Sequence, residues 1–267
     1  MTARIALSTL LSLLTAALFN CGQTGQTTIG RPYQISVPPI PDGELLTYRV
    51  TTQGEETGRM VTRVRRSRFL EIPALEFITV TQVLSGSVTR RDSAVVYATP
   101  DSLIPIGSFH FQWVGNAFTT TAAKYQPGSV GVSTWTPQQG EMQRPIPLAI
   151  RSYDIDQLIL LGRAFQVAQG KGAEIAFVIP LSSPLGGVVR TAKVTAKPDE
   201  TVTVPAGTFE CNHLSIQMGE AETELWLEKG PTRRPVKYQG PGQAFVMELI
   251  SAQFRTALSG PLNQTSW

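Results

Sequence analysis

From residue 44 to about residue 252 the sequence alternates apolar and polar residues in short runs, and this pattern limits the fold more than any other feature. A period of two fits a pleated strand, whose successive side chains point to opposite faces, and fits no helix. In "GELLTYRVTT", Leu46, Tyr48 and Val50 fall on one face, while Thr47, Arg49 and Thr51 fall on the other. "QGEETG" (53–58) reads as a turn and "RMVTRVRRSRFLEI" as the returning strand. The same reading gives strands at 75–84, 93–98, 108–114, 130–135, 174–179, 188–196, 209–218, 223–228, 234–239 and 244–252. Gly, Pro and Asn separate most of them.

One segment has a different period. In "SYDIDQLILLGRAFQVAQG", Ile155, Leu158, Ile159, Gly162 and Phe165 recur at helical spacing, and Leu161, Ala164 and Ala168 widen the apolar face. Asp154 is placed as N-cap, Gln157 completes a capping box, and Gly170 is a C-terminal stop. Many short antiparallel strands with one apolar helix predict a mainly β fold: a curved sheet or incomplete β-barrel packed on one principal helix. The alternative is a two-sheet β-sandwich.

The N-terminus has another character. Arg4 precedes "IALSTLLSLLTAALF" (5–19), a run shorter than the ~20 residues of a membrane-spanning helix and shaped like a secretory signal peptide. Leu18-Phe19-Asn20-Cys21 resembles a bacterial lipobox, in which the cysteine is acylated and becomes the new N-terminus. Asn20 departs from the small residue usual before that cysteine. Cleavage after Ala17, or retention of an uncleaved anchor, are the alternatives. The expected organisation is a signal peptide (1–20), a tether and proline-rich lead-in (21–42), a single β-rich domain (43–256) and a C-terminal tail (257–267). Such a chain is exported to the cell envelope and held to a membrane through lipid on Cys21. If Cys21 is not acylated, a disulfide to Cys211 is conceivable in an oxidising periplasm.

"PDGELLTYRVTTQGEETGRMVTRVRR", "YDIDQLILLGRAF", "VTVPAGTFECNHLSIQM", "TELWLEKGPTRRPVKYQG" and "AFVMELIS" occur in that order. Together they resemble the TapB-like family of bacterial exported proteins, first catalogued as a domain of unknown function. The resemblance runs from about residue 42 to 251 and rests chiefly on "VPAGTFEC" with the downstream "LWL". It implies an envelope location and a β-rich fold, and it brings no catalytic residues with it.

Within that motif, Pro205 and Gly207 suit a turn between two strands. Cys211, His213, Ser215 and Gln217 share one face of the returning strand; Leu214, Ile216 and Met218 share the other. Cys211 and His213 are therefore about 7 Å apart, too far for direct activation, and read as structural. The two histidines, His110 and His213, form no metal-ligand spacing. No G-x-S-x-G elbow is present, and "GKGAEI" at 170–175 fails the dinucleotide pattern. No cofactor, metal or enzymatic constellation is expected. A net charge of +3 is too weak to imply nucleic acid. Arg59, Arg63, Arg65, Arg66 and Arg68 form a solvated outer face or a lipid-headgroup contact. Glu220, Glu222, Glu224 and Glu228 read as a solvated strand face.

Leu75, Phe77 and Val83 oppose Ile78, Val80 and Leu84 on a strand apolar on both faces, and Phe109, Phe111 and Trp113 add aromatic surface. The expectation is an apolar groove between helix and sheet, lined by Phe109, Phe111, Trp113, Leu158 and Phe165. It would serve a carrier or binding module for an apolar or lipid ligand. The alternative is a structural protein that meets an envelope partner through its sheet.

Overall fold

The computed structural model describes residues 35–166, 171–181 and 187–254. The signal-peptide segment, Cys21 with its expected acylation, and the C-terminal tail lie outside the described residues.

Sixteen strands occur among them. The first eight form a meander: β1 (Glu44–Thr52), β2 (Glu55–Phe69), β3 (Ile72–Ser85), β4 (Val88–Ala98), β5 (Pro105–Val114), β6 (Ala117–Gln126), β7 (Ser129–Thr136) and β8 (Gly140–Pro147). After β9 (Ser152–Asp154) come a 3₁₀ turn (Ile155–Gln157) and the helix α1 (Leu158–Gly162). The second half comprises β10 (Gly172–Ile179), β11 (Val188–Ala196), β12 (Glu200–Val204), β13 (Gly207–Met218), β14 (Ala221–Glu228), β15 (Pro235–Gln239) and β16 (Val246–Phe254). All belong to one sheet, ordered β8-β7-β6-β5-β4-β3-β2-β1-β16-β15-β14-β13-β11-β10-β9, with β12 paired to β13. Neighbours are antiparallel except β9 and β10. The fold is the expected mainly β, curved and unclosed sheet.

The sheet coils past itself. Leu46, Val64, Phe77, Phe177, Val194, Ile216 and Leu225 point inward and surround the residues of α1 in the main core. The opposite face of β10, with Val178, packs against Ala123, Val130, Val132 and Ile146 of β6–β8 in a second core. The β6–β8 end therefore overlaps the β9–β11 end, and side chains rather than a strand ladder seal the seam. β10 is buried on both faces, in keeping with its unbroken apolar run "IAFVI".

Local chemistry accounts for several boundaries. The first turn is shorter than expected: Gln53 (φ 54°) and Gly54 (φ 86°) make it alone, and Glu55–Gly58 already belong to β2. Two central residues with positive φ give a twist that matches paired strands. Pro205 and Ala206, neither of them at positive φ, turn β12 into β13, closing at Val204 opposite Gly207. β6 and β8 lay outside the expected strand set. Their threonine-rich and proline-containing sequences carry little apolar alternation, and pairing to β5 and β7 supplies their order.

The principal helix is much shorter than the sequence period suggested. Asp154 caps the turn by accepting from the Asp156 amide at 3.0 Å. Gln157 does not complete a capping box; its side chain donates to the Leu103 carbonyl at 2.8 Å. The helix ends at Gly162 because the next residues find other partners. The Ser36 amide donates to Ala164 O, and Ile35 bridges Phe165. Arg163 turns inward to meet both oxygens of Glu44 at 2.5 and 3.3 Å and the Thr232 carbonyl at 2.9 Å. The lead-in thus packs on the core through Ile35, Val37 and Ile40.

Candidate functional site

The short helical segment stands inside the coiled sheet without filling it. A cavity of about 110 Å³ remains between Ile155, Asp156, Leu158 and Ile159 on one side and the strands β1–β5, β15 and β16 on the other. Val50, Met60, Leu181, Phe245 and Met247 make most of its wall apolar, with Tyr238, whose hydroxyl is buried beside Thr223. Thr79, Thr81, Asp92, His110, Gln112 and Asp156 form a polar wall opposite.

That polar wall follows from strand register. Thr81, Asp92 and Gln112 lie side by side across β3, β4 and β5, and His110 lies two residues from Gln112 on the same face. His110 is clamped between two carboxylates: Nε2 is 2.7 Å from Asp92 Oδ1 and Nδ1 is 2.9 Å from Asp156 Oδ2. Gln112 donates to the other Asp92 oxygen at 3.1 Å. Burial alone would lower the imidazole pKa, but the charges and hydrogen bonds of Asp156 and Asp92 outweigh it and raise it well above the ordinary histidine value. Burial likewise opposes ionisation of Asp92; the His110 charge, the His110 and Gln112 hydrogen bonds and Arg90 prevail and lower its pKa. His110 is therefore an imidazolium that joins β5 to the 3₁₀ turn.

A second group closes the seam beneath. The Tyr125 hydroxyl on β6 donates to Asp154 Oδ2 at 2.7 Å. Burial, followed by the neighbouring Asp156 charge, pushes the Asp154 carboxyl up to about 7, despite hydrogen bonds from Ser108, Tyr125 and the Asp156 amide. The same burial and the Asp154 charge raise the Tyr125 phenol well above its usual range.

Of the five residues expected to line a groove, Leu158 alone borders this cavity. Phe165 is fully buried at the far end of the segment. Phe109, Phe111 and Trp113 are on the opposite face of β5 from His110 and Gln112, outside the coil, with Phe109 50% and Trp113 41% exposed. The alternation was legible, but its polarity was inverted: the polar face of β5 turns inward because Asp92 and Asp156 satisfy it there. Paired polar residues can be buried when hydrogen-bonded, and single-strand periodicity cannot reveal a partner on β4 or after β9.

Most of the other singled-out residues have structural partners. The Cys211 thiol is buried, donates to the Phe209 carbonyl at 3.7 Å and is pushed up to about 11, by burial first and then by Glu228 and Glu200. His213 Nδ1 lies 2.6 Å from Glu200, and the ring stacks on Trp226 at 4.4 Å. Arg59 pairs with Glu56, Arg65 with Glu76 and Arg68 with Glu71. Glu222 meets Ser215 and Lys197, and Glu228 meets Arg234. Among the described residues no group of three His, Cys, Asp or Glu side chains is arranged to hold a metal.

A family model described as "Protein of unknown function (DUF3108)" matches residues 47–249. No curated protein matches the chain. Among solved structures, the chain is similar to the beta-barrel-like protein of domain of unknown function DUF1849 from Brucella abortus. Identity is 11%, the TM-score is 0.54, and the match covers 84% of this chain and 100% of that one. At that identity the likeness is one of fold. A Bacteroides fragilis protein with a YmcC-like fold aligns at 12% identity over 82% of this chain and 99% of that one; its TM-score of 0.30 carries no structural argument.

Proposed function

The chain belongs to the DUF3108 family of proteins of unknown function, and from that premise we propose that it is a ligand-binding module of the bacterial cell envelope. Its ligand is an apolar, lipid-like molecule whose tail enters the cavity beside α1. The observation that carries this reading is the cavity itself, with an apolar wall facing a polar one inside the sheet. A water needs ~10–15 Å³ of such space, so the cavity holds roughly eight waters or a few methylene groups without rearrangement. Burying apolar area at about 25 cal/mol per Å² favours the second occupant. Asp92 and Asp156 present acceptors, so the ligand's polar end is one that donates hydrogen bonds. His110 faces a carboxylate at each ring nitrogen. It has no lone pair for a substrate, which supports a binding rather than a catalytic role.

The signal-peptide-like residues 1–20 and the resemblance to TapB-like exported proteins support an envelope location, with Cys21 as the acylated anchor. Intact-mass measurement on membrane-extracted protein should show loss of residues 1–20 and added acyl mass. For the ligand, native mass spectrometry of the full chain should reveal a co-purifying lipid-like mass, and a fluorescent long-chain alcohol should bind saturably. Ile159→Trp, which projects a larger ring from a half-buried cavity position, should abolish that binding while the melting transition persists. Absence of both a ligand mass and saturable binding in the wild-type protein refutes the carrier function.

A further inference from the structure

The aromatic residues expected inside form a continuous surface outside, independent of the cavity. Phe111 meets Trp113 edge-on at 4.8 Å and stacks on Phe118 at 5.7 Å; Phe118 in turn stacks on Trp135 at 5.1 Å. Phe109 extends the row, and Trp135 is 38% exposed. Cross-strand register places Val95 beside Phe109 and Ile78 beside Val95 on the same face. Antiparallel sheets that meet water on one side carry polar residues there. A contiguous apolar face on a soluble surface instead marks a site of contact.

The chemistry of the face selects the partner. It is the outer side of a curved sheet, where Val95, Phe109, Phe111 and Trp135 border a depression open to solvent rather than an enclosed cavity. Half-exposed Trp and Phe side chains belong to the water–lipid boundary, where an apolar ring and a polar edge are both satisfied. The charges on this face are unbalanced. Arg63, opposite Ile78, and Arg91, opposite Trp113, have no carboxylate partner among the described residues. Lys124 is exposed on the same side of β6. The acids there are Glu76, paired with Arg65, and Glu141, held by Ser133 and Gln143. We propose that this face of β4–β7 rests on an anionic lipid bilayer, its aromatic side chains at headgroup depth and Arg63 and Arg91 on lipid phosphates.

The test uses the full chain with vesicles of phosphatidylcholine, with or without about one-third phosphatidylglycerol, carrying brominated acyl chains that quench tryptophan on contact. Trp226 is 5% exposed and stacked on His213, so it is an internal reference. Anionic vesicles should quench the wild-type protein, and the conservative pair Trp113→Phe with Trp135→Phe should remove at least half of that quenching. Arg63→Glu with Arg91→Glu, checked for an unchanged circular dichroism spectrum, should weaken vesicle affinity tenfold or more, as should raised salt. Four results would overturn the proposal. Quenching could be absent, or equal on zwitterionic vesicles and indifferent to charge reversal. Alternatively, light scattering could show a dimer, or acrylamide could fail to quench Trp113 and Trp135 before lipid is added.

Discussion

Asp154 holds the seam of the coil at a cost that depends on pH, and Asp154→Asn isolates that cost. Its carboxyl is fully buried and pushed from 3.8 up to about 7. The folded protein therefore binds this proton more tightly than the unfolded chain does. For an acid raised in this way, stability is fully present below the unfolded value and is lost as pH rises through the folded one. At 1.36 kcal/mol per unit, the penalty is about 1.6 kcal/mol at pH 5 and about 4 kcal/mol at pH 8, as an upper bound. Asparagine keeps an acceptor for the Asp156 amide. It presents a donor toward Tyr125, whose hydroxyl can turn to accept, at a pH-independent cost of about 1 kcal/mol. Urea unfolding of both proteins at pH 5 and pH 8 reads the difference directly. The advantage of Asp154→Asn should grow by about 2–3 kcal/mol between these conditions. The raised His110 pKa also makes stability fall as pH climbs through its folded value, and the lowered Asp92 pKa makes it fall in acid. Both contributions are largely common to the two proteins, so they cancel in the comparison. A stability difference that stays constant with pH would refute the reasoning.

Arg163→Met should destabilise by about 3–5 kcal/mol in urea unfolding, because Glu44 is left charged and unpaired in the core. Adding Glu44→Gln should recover part of that loss, and a fully additive double variant would contradict a coupled pair. Gly162→Ala should cost about 1–3 kcal/mol, since an added Cβ would overlap Leu225 Cδ2; an unchanged thermal midpoint would show that α1 is not pressed against β14. Cys211 should react with a thiol reagent at neutral pH only after unfolding, given its burial and raised pKa. Rapid native labelling would contradict that picture.

Strand identity was readable in residues such as Leu46, Tyr48 and Val50, because a period of two is a property of one segment. So was the turn at Pro205, where the chain's own dihedral preferences suffice. The helical period after Asp154 was also legible, but its length was not. Arg163 and Phe165 leave the helix for Glu44 and Ile35, and such distant competitors leave no trace in local spacing. The candidate site was the least legible part. Alternation on β5 separates His110 and Gln112 from Phe109, Phe111 and Trp113 without stating which set is inside. Apolar character argued for the aromatics, and Leu158 was the one expected residue that reached the cavity. The sequence by itself determined most of the strands, their two faces and most of the turns, since these depend on backbone geometry and neighbouring side chains. Tertiary structure alone decided which face of β5 is buried, because that choice depends on whether Asp92 and Asp156 arrive to neutralise an imidazole. The coil brings them there, and the aromatic face is left outside.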